Sequence, residues 1–518
     1  MRRVAIVFFI FLLSFNSLLV AQELASDKLA NERFNEENFK EALANYLELL
    51  VSTPENLTYN YRIGVCYLNT NIDKSNAIPY FEKALTSSAT DPNASYLLGR
   101  AYHFAYRFPE AIKMYRKFKT LNKGNTANLQ DVEKQIQYCY NAIEIMKFPL
   151  DVTFKNVGPT INSKQKDYYP YVPLDESFLI FNTKRDDGSS LLSNGSFLSE
   201  IYISKVKNGI YTPSKKIDQN VNSLAGSEEI VGLSGDGKHV LFYFDNEAHY
   251  GDLFIADFEN ENVENLTKLP KVINSKHHEI SASITLLGDV IYFASDRDGG
   301  YGGVDIYSSR KLPNGKWAPP QNLGPTVNTA ADEDFPNITS DHKTLYFSSK
   351  GHTSMGGYDI FKAAWNPVKR NWGDVNNVGY PLNTPEDNMN FRVSKTGRTG
   401  YISALRENGF GDLDVYSVTF NEVDPTYTVL KGYVNTRDSL PLKDVFISVL
   451  DQQTDELYGS YMTNPVSGRY IIILPPGKYK VLVEVPGFEF LSDDVEILGK
   501  TSYRSRIKKN YVLSPSGL

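Results

Sequence analysis

Five copies of one pattern, almost evenly spaced, constrain this chain more than any other feature. In FASDRDGGYGGVDIY (293–307) an apolar run passes through a polar, glycine-bearing turn to an acid and a second apolar run. The same order recurs in LYFSSKGHTSMGGYDIFKA (345–363), VLFYFDNEAHYGDLFIA (240–256), GYISALRENGFGDLDVYSV (400–418) and, with a longer insert, 178–206. The acids are Glu200, Asp252, Asp305, Asp359 and Asp414, at spacings of 52, 53, 54 and 55 residues. A lone stretch of this kind could cradle a phosphate, ligate calcium or turn the chain. Repetition at a near-constant period specifies an architecture instead. Turns before the first run (SGDGKHVLFY) and a third element after the second (KLPNGKWAPPQNL) give each unit about four strands, the signature of a propeller blade. The glycines are expected to supply positive φ, and the acids to hold the turns.

The linker NLGPTVNTAADEDFPNI (322–338) has a near-copy, NVGPTINSKQKDYYPYV (156–172), standing before the first complete unit, while the last unit lacks it. Residues around Val152–Val157 are therefore expected to complete the fifth blade, joining the ends of the ring and removing two open sheet edges.

Residues 24–120 follow a helical period instead. Ala30, Gly64 and Gly99, then Ala42, Ala77 and Ala111, then Tyr46, Phe81 and Tyr115 form columns 34 or 35 residues apart. This resembles the tetratricopeptide repeat (TPR), although its leading Trp is missing. LQDVEKQIQYCYNAIEIMKF follows as a capping helix. The only cysteines, Cys66 and Cys139, fall in the second repeat and the cap with the third repeat between them, so free buried thiols are expected rather than a disulfide. The stretch 428–485 alternates like a β-sandwich. At Gly432, Pro441-Leu442, Val445, Gly468-Arg469-Tyr470, Pro475 to Tyr479 and Gly487-Phe488 it resembles the carboxypeptidase regulatory-like domain, a seven-strand module that carries no peptidase centre. The basic tail KTSYRSRIKKNYVLSPSGL reads as a last strand and a frayed terminus.

The expected organisation is thus a signal peptide (1–21), TPR helices with a cap (22–148), a five-bladed WD40-like, TolB-related β-propeller (150–422), a small seven-stranded β-sandwich (427–500) and a tail (501–518). The fold class is multidomain, α plus all-β. Arg2 and Arg3, the apolar run Val4–Leu13 and Ala21 read as a cleavable export signal. A net charge of -7 argues against general nucleic-acid binding.

Few residues invite chemistry. His277-His278-Glu279 is the only histidine cluster, and adjacent residues on a strand point apart. Asp296, Asp298 and Asp305 lack the EF-hand spacing for calcium. Asp332-Glu333-Asp334 reads as a solvated rim. Trp317, Trp365 and Trp372 read as blade packing, with carbohydrate stacking as the alternative. Asp438-Ser439-Leu440 matches a short bacterial O-glycosylation pattern. No catalytic, cofactor-binding or metal residue is assigned, and no cofactor is expected.

The order of modules, with LYFSSKGHTSMGGYDIF and NGKWAPPQNLGPTVNTAADED, resembles the PorE-type component of the type IX secretion system of Bacteroidetes, without the OmpA-like domain that commonly follows. That resemblance implies a non-enzymatic periplasmic scaffold at the outer membrane. Its partners would be envelope proteins of a secretion or gliding complex, with peptidoglycan reached only through a partner. The alternatives are a propeller-based glycan or peptide hydrolase and a glycan-binding module of the envelope. Carboxylates facing the central channel would favour the hydrolase, and only apolar and amide groups there would disfavour it.

Overall fold

A computed structural model describes residues 25–516, apart from 88–90, 123–125, 189, 219–220, 223–225, 247–248, 260, 395–396, 422–426, 439, 453 and 499–505. The export signal and Ser439 of the glycosylation pattern lie outside the described residues. Among the described residues no helix is long and apolar enough to cross a membrane.

The expected fold class is corrected. Strand accounts for 39% of the structure and helix for 20%. The chain divides into two compact units rather than three domains, and the helices share the first unit with the large sheets. They do not form a solenoid of their own. Helices Phe39–Ser52, Leu57–Leu68, Ala77–Ala84, Asn93–Phe104 and Phe108–Leu121 pair as antiparallel hairpins, followed by Thr126–Ile145. Small residues let the hairpins close: a Cβ on Gly64 or Gly99 would stand 2.7 Å from the ring of Phe81 or Tyr115. The apolar surface they leave is closed by a sheet loop. Met355 is fully buried in the cluster of Leu98, Tyr102, Phe108 and Ile112. His103 Nε2 lies 2.8 Å from Met355 O, Asn141 Nδ2 donates to Ser354 O at 2.7 Å, and Tyr138 OH donates to Lys350 O. Cys66 and Cys139 are both free and buried in different clusters.

Five antiparallel sheets form a β-propeller-like ring. Their inner strands are Asp167–Tyr171, Ser227–Leu233, Glu279–Ile284, Glu333–Ile338 and Arg392–Val393. In the fifth sheet, Val152–Asn156 pairs with Asp414–Phe420 at the outer edge, so the start of this region completes the last sheet. One hydrogen bond recurs at the junctions. An N–H at or near the start of an inner strand donates to the carbonyl just before the preceding sheet's acid: Glu228 N to Ser199 O (3.4 Å), Glu333 N to Val304 O (2.8 Å), Asn388 N, four residues before its strand, to Tyr358 O (2.6 Å) and Asp167 N to Leu413 O (2.8 Å). The last of these joins the fifth sheet to the first.

The expected positive φ is found at Gly188, Gly195, Gly251 and Gly299, and other glycines of the repeats have a different role. Within 293–307 only Gly299 has positive φ. Gly302, Gly356 and Gly411, each three residues before an acid, are needed because the next sheet's incoming segment crosses them. An added Cβ would stand 1.9 Å from Ala331 O, 2.2 Å from Pro385 O and 2.4 Å from Lys164 O.

Among the described residues the second unit is a sandwich of eight strands in two four-stranded sheets, six from 428–497 rather than the seven expected there and two from the tail. The tail strands Arg506–Lys508 and Tyr511–Leu513 both pair in parallel with Thr428–Thr436.

Gly302→Ala should destabilise the first unit by ~2 kcal/mol or more through backbone overpacking. Gly373→Ala, with nothing within 4 Å of its Cβ and an ordinary φ, should leave the melting temperature within a degree or two. Paired thermal melts check both.

Candidate functional site

The five acids that punctuate the sequence do not converge. Each is bound inside its own sheet. Asp305 accepts from Tyr301 N (2.6 Å), Gly302 N (3.0 Å) and Asn322 Nδ2 (2.7 Å). Asp359 accepts from Met355 N (2.7 Å) and Asn377 Nδ2 (2.9 Å), and Asp414 from Phe410 N and Asn156 Nδ2, both at 2.7 Å. Glu200 pairs with Lys216 at 3.1 Å, and Asp252 with Lys268. Burial pushes the carboxyls of Glu200, Asp359 and Asp414 above the usual range. The residue after each acid is bracketed by an asparagine amide that bonds both its N–H and its C=O. Asn222 brackets Ile201, Asn274 Leu253, Asn328 Ile306, Asn383 Ile360 and Asn162 Val415, at 2.8–3.0 Å.

The other candidates also separate. His278 Nδ1 lies 3.1 Å from Asp296, whereas His277 Nε2 lies 3.3 Å from Asp298. Asp305 takes no part in that cluster. Among the described residues no group of three or more His, Cys, Asp and Glu is placed to hold a metal ion. Trp372 is buried in the fourth sheet's core, with Trp365 against its edge at 5.3 Å. Trp317 packs beside the third sheet's core.

Asp332-Glu333-Asp334 is not a solvated rim. Asp332 pairs with Lys350 at 3.0 Å. Glu333 is fully buried and accepts from Thr329 N (2.6 Å), Thr329 Oγ1 (2.7 Å) and Ser349 Oγ (2.6 Å). Asp167 and Glu279, which hold the same place in the first and third sheets, are joined by Arg185 and Arg297 at 2.9 and 3.0 Å. In the fourth sheet His352 takes the arginine's role, reaching Val327 O at 2.8 Å as Arg297 reaches Ile273 O. Without an arginine, burial pushes the Glu333 carboxyl up to about 7, against its three donors.

Asp334 turns toward the centre of the ring, where every sheet contributes a polar group. Ser281 Oγ of the third sheet donates to Asp334, and Phe335 N donates to it at 2.7 Å. Burial pushes its carboxyl up to about 6. Glu229 of the second sheet, half-buried, accepts from Tyr168 OH of the first at 2.6 Å. Burial, then the nearby Glu229 and Asp334 carboxylates, drive the Tyr169 phenol well above its ordinary value. Arg392 of the fifth sheet is buried, lies 4.3 Å over the Tyr171 ring, and forms no ion pair among the described residues. The backbone here is strained. Tyr169, Phe335 and Asn390 occupy the same place in three inner strands, with φ of 50°, 50° and 56°. Such values are not confined to the ring's centre, since Tyr106, His352 and Arg370 also have positive φ, of 58°, 48° and 52°. The Tyr169 and Phe335 rings, from the first and fourth sheets, stand 4.6 Å apart.

No family model matches the chain, and no curated protein matches it. The TPR, PorE-type and regulatory-like resemblances thus gain no support there. Among solved structures it is similar to an endo-arabinase from Bacteroides thetaiotaomicron (15% identity, TM-score 0.34, covering 52% of this chain and 99% of that one). It is similar to Bacteroides ovatus GH43B of a xyloglucan locus (12%, TM-score 0.27, covering 66% and 79%). It is also similar to 3-chlorocatechol 1,2-dioxygenase from Rhodococcus opacus (11%, TM-score 0.16, covering 18% of this chain), of which it spans 62% of the length. TM-scores this low carry no inference by themselves, and the reading rests on the ring's own geometry. The expectation that the chain is not an enzyme is corrected on the ring's own residues: the inner strands carry the carboxylates Glu229 and Asp334, each hydrogen-bonded across to the neighbouring sheet, and carboxylates there are the feature that favours a hydrolase over a scaffold.

Raised carboxyl values bind protons in the folded state that the unfolded chain has released. The Glu333 contribution to stability should therefore be fully present below about pH 4.5 and be lost as pH rises toward its value of about 7. Glu333→Gln should flatten that fall in melts taken from pH 4.5 to 8, within a range where the chain stays soluble.

Proposed function

We propose that the five-sheet ring is a glycan-handling module of the cell envelope. It binds a saccharide chain at the centre of the ring and hydrolyses it. The observation that carries the reading is that two inner strands each carry a carboxylate hydrogen-bonded to the neighbouring sheet, Glu229 to Tyr168 OH at 2.6 Å and Asp334 to Ser281 Oγ. Hydrolysis of a glycosidic bond takes two carboxylates with separate roles, one protonated and one ionised. Asp334, buried and held up to about 6, is suited to donate a proton to the leaving oxygen. Glu229, half-buried and fixed by the Tyr168 hydroxyl, is suited to act from the other side of the bond. Tyr169 and Phe335 offer ring faces for a sugar, and Arg392, which donates to Asn390 Oδ1 at 2.8 Å and has no ion pair among the described residues, offers a cation for its hydroxyl or carboxylate groups. Residence in the periplasm, in contact with outer-membrane envelope proteins, is proposed on the N-terminal export pattern and is tested by cell fractionation.

Purified protein would be incubated with wall polysaccharides, arabinan and xyloglucan among them, and released reducing ends measured. Asp334→Asn and Glu229→Gln should each lower the rate by ~100-fold or more while leaving binding in place. The wild-type rate should fall as pH rises past about 6, where Asp334 loses its proton. A wild-type protein that neither binds nor cleaves any of the panel overturns the reading.

A further inference from the structure

The second unit carries a cationic cleft that the ring does not explain. The sheet of Thr428–Thr436 and Arg469–Leu474 is flanked by Arg506–Lys508 and Tyr511–Leu513, two short strands separated by Lys509-Asn510. At that break the chain falls toward Gly432, where an added Cβ would stand 1.7 Å from Lys509 O. Asn510 Oδ1 accepts from Tyr433 N at 3.1 Å, and Tyr470 OH donates to Lys509 O at 2.7 Å, so the break is held in place. Over it opens a cleft of about 390 Å³, lined by Lys431, Gly432, Tyr433, Arg469, Lys508 and Asn510.

Three of those six residues are cations. Lys431 and Lys508 are direct partners on paired strands, and Arg469 is the partner of Tyr433 two pairs further along. None of the three is ion-paired among the described residues, although the chain as a whole is acidic. The neighbouring acid Asp493 is taken by Lys509 at 2.6 Å and Tyr511 OH at 2.9 Å. Like charges side by side on a sheet cost stability, so three uncompensated cations in one cleft are an arrangement that an anionic ligand would relieve. Tyr433 stands beside them, 46% exposed.

We propose that this cleft binds an acidic polysaccharide, through the carboxylates of successive uronic acid residues. Arg469 offers the planar fork that matches a carboxylate, Lys431 and Lys508 offer point charges for a neighbouring one, and Tyr433 offers a ring face for the apolar side of a pyranose. The volume suits one or two sugar residues. The cleft lies on the face of the sheet, not along a free edge, so it lacks the row of backbone groups by which an acidic peptide would be added as a strand. The proposal stands on the second unit alone and is independent of hydrolysis in the ring.

The test uses the full chain, titrated with oligogalacturonate, with a neutral galactan, and with vesicles of anionic phospholipid. The expected result is binding of oligogalacturonate that weakens with salt, and none of the galactan. Arg469→Glu and Lys508→Glu should each weaken it about tenfold or more, and Tyr433→Ala about threefold or more. Lys443→Glu on the same unit should leave it unchanged. Tyr433→Ala keeps the test open if a charge reversal fails to fold. Oligogalacturonate that does not bind, binding untouched by all three cleft variants, or equal binding to the anionic vesicles overturns the proposal.

Discussion

The five-sheet ring depends on one close approach. Where the third, fourth and fifth sheets turn toward their acids, the chain bringing in the next sheet passes so near that no Cβ fits, at Gly302, Gly356 and Gly411. That approach sets the carbonyl before the acid against an N–H at or near the start of the next inner strand. The acid then holds its own turn, and an asparagine from the following linker brackets the residue after it. These contacts are directional and buried, where an unmade hydrogen bond is costly. A sheet that lost its neighbour would therefore lose more than apolar surface. Gly411 against Lys164 and Asp167 against Leu413 repeat the junction between the last sheet and the first, which makes the array a ring rather than a row.

A ring built this way keeps its outer contacts alike and leaves its centre free to differ. The acids at the heads of the third strands are bound within their sheets, whereas the second and third residues of the inner strands vary from sheet to sheet. There the chain accepts positive φ at Tyr169, Phe335 and Asn390, and brings two carboxylates, phenols, a hydroxyl and a guanidinium together. Strain of this kind persists only where the surrounding structure fixes it. The repeated junctions supply that rigidity. The helices close over part of the same unit: the turn that is exposed at Tyr301 in the third sheet is buried among helices at Met355 in the fourth.

Much of the ring was legible in the sequence, because acids at spacings of 52 to 55 residues and the displaced copy of the linker are local signals. The asparagine brackets were legible too, in NVGPTIN, NLGPTVN and NVGYPLN, but went unread. Other features depend on distant parts of the chain. The glycines look like turn residues until Ala331, Pro385 and Lys164 are placed over them. An amphipathic helix looks the same whether a helix or a loop near residue 355 covers it. The central carboxylates were hidden by register. Inner strands shift register between Tyr168 and Tyr171, Ile230 and Gly232, Glu279 and Ser281, and Asp334 and Asn337. A one-residue shift reverses which side chains face inward, so alternation along EDFPNI could not show that Asp334 points to the centre.

Hydrogen exchange on the intact chain tests the ring most directly. The amides of Ile201, Leu253, Ile306, Ile360 and Val415 each donate to a bracketing asparagine. In a closed ring all five should share the slow exchange of global unfolding. If peptides containing Val415 exchanged far faster than those containing Ile306, the last sheet would not be joined to the first, and the account of a closed ring would be wrong.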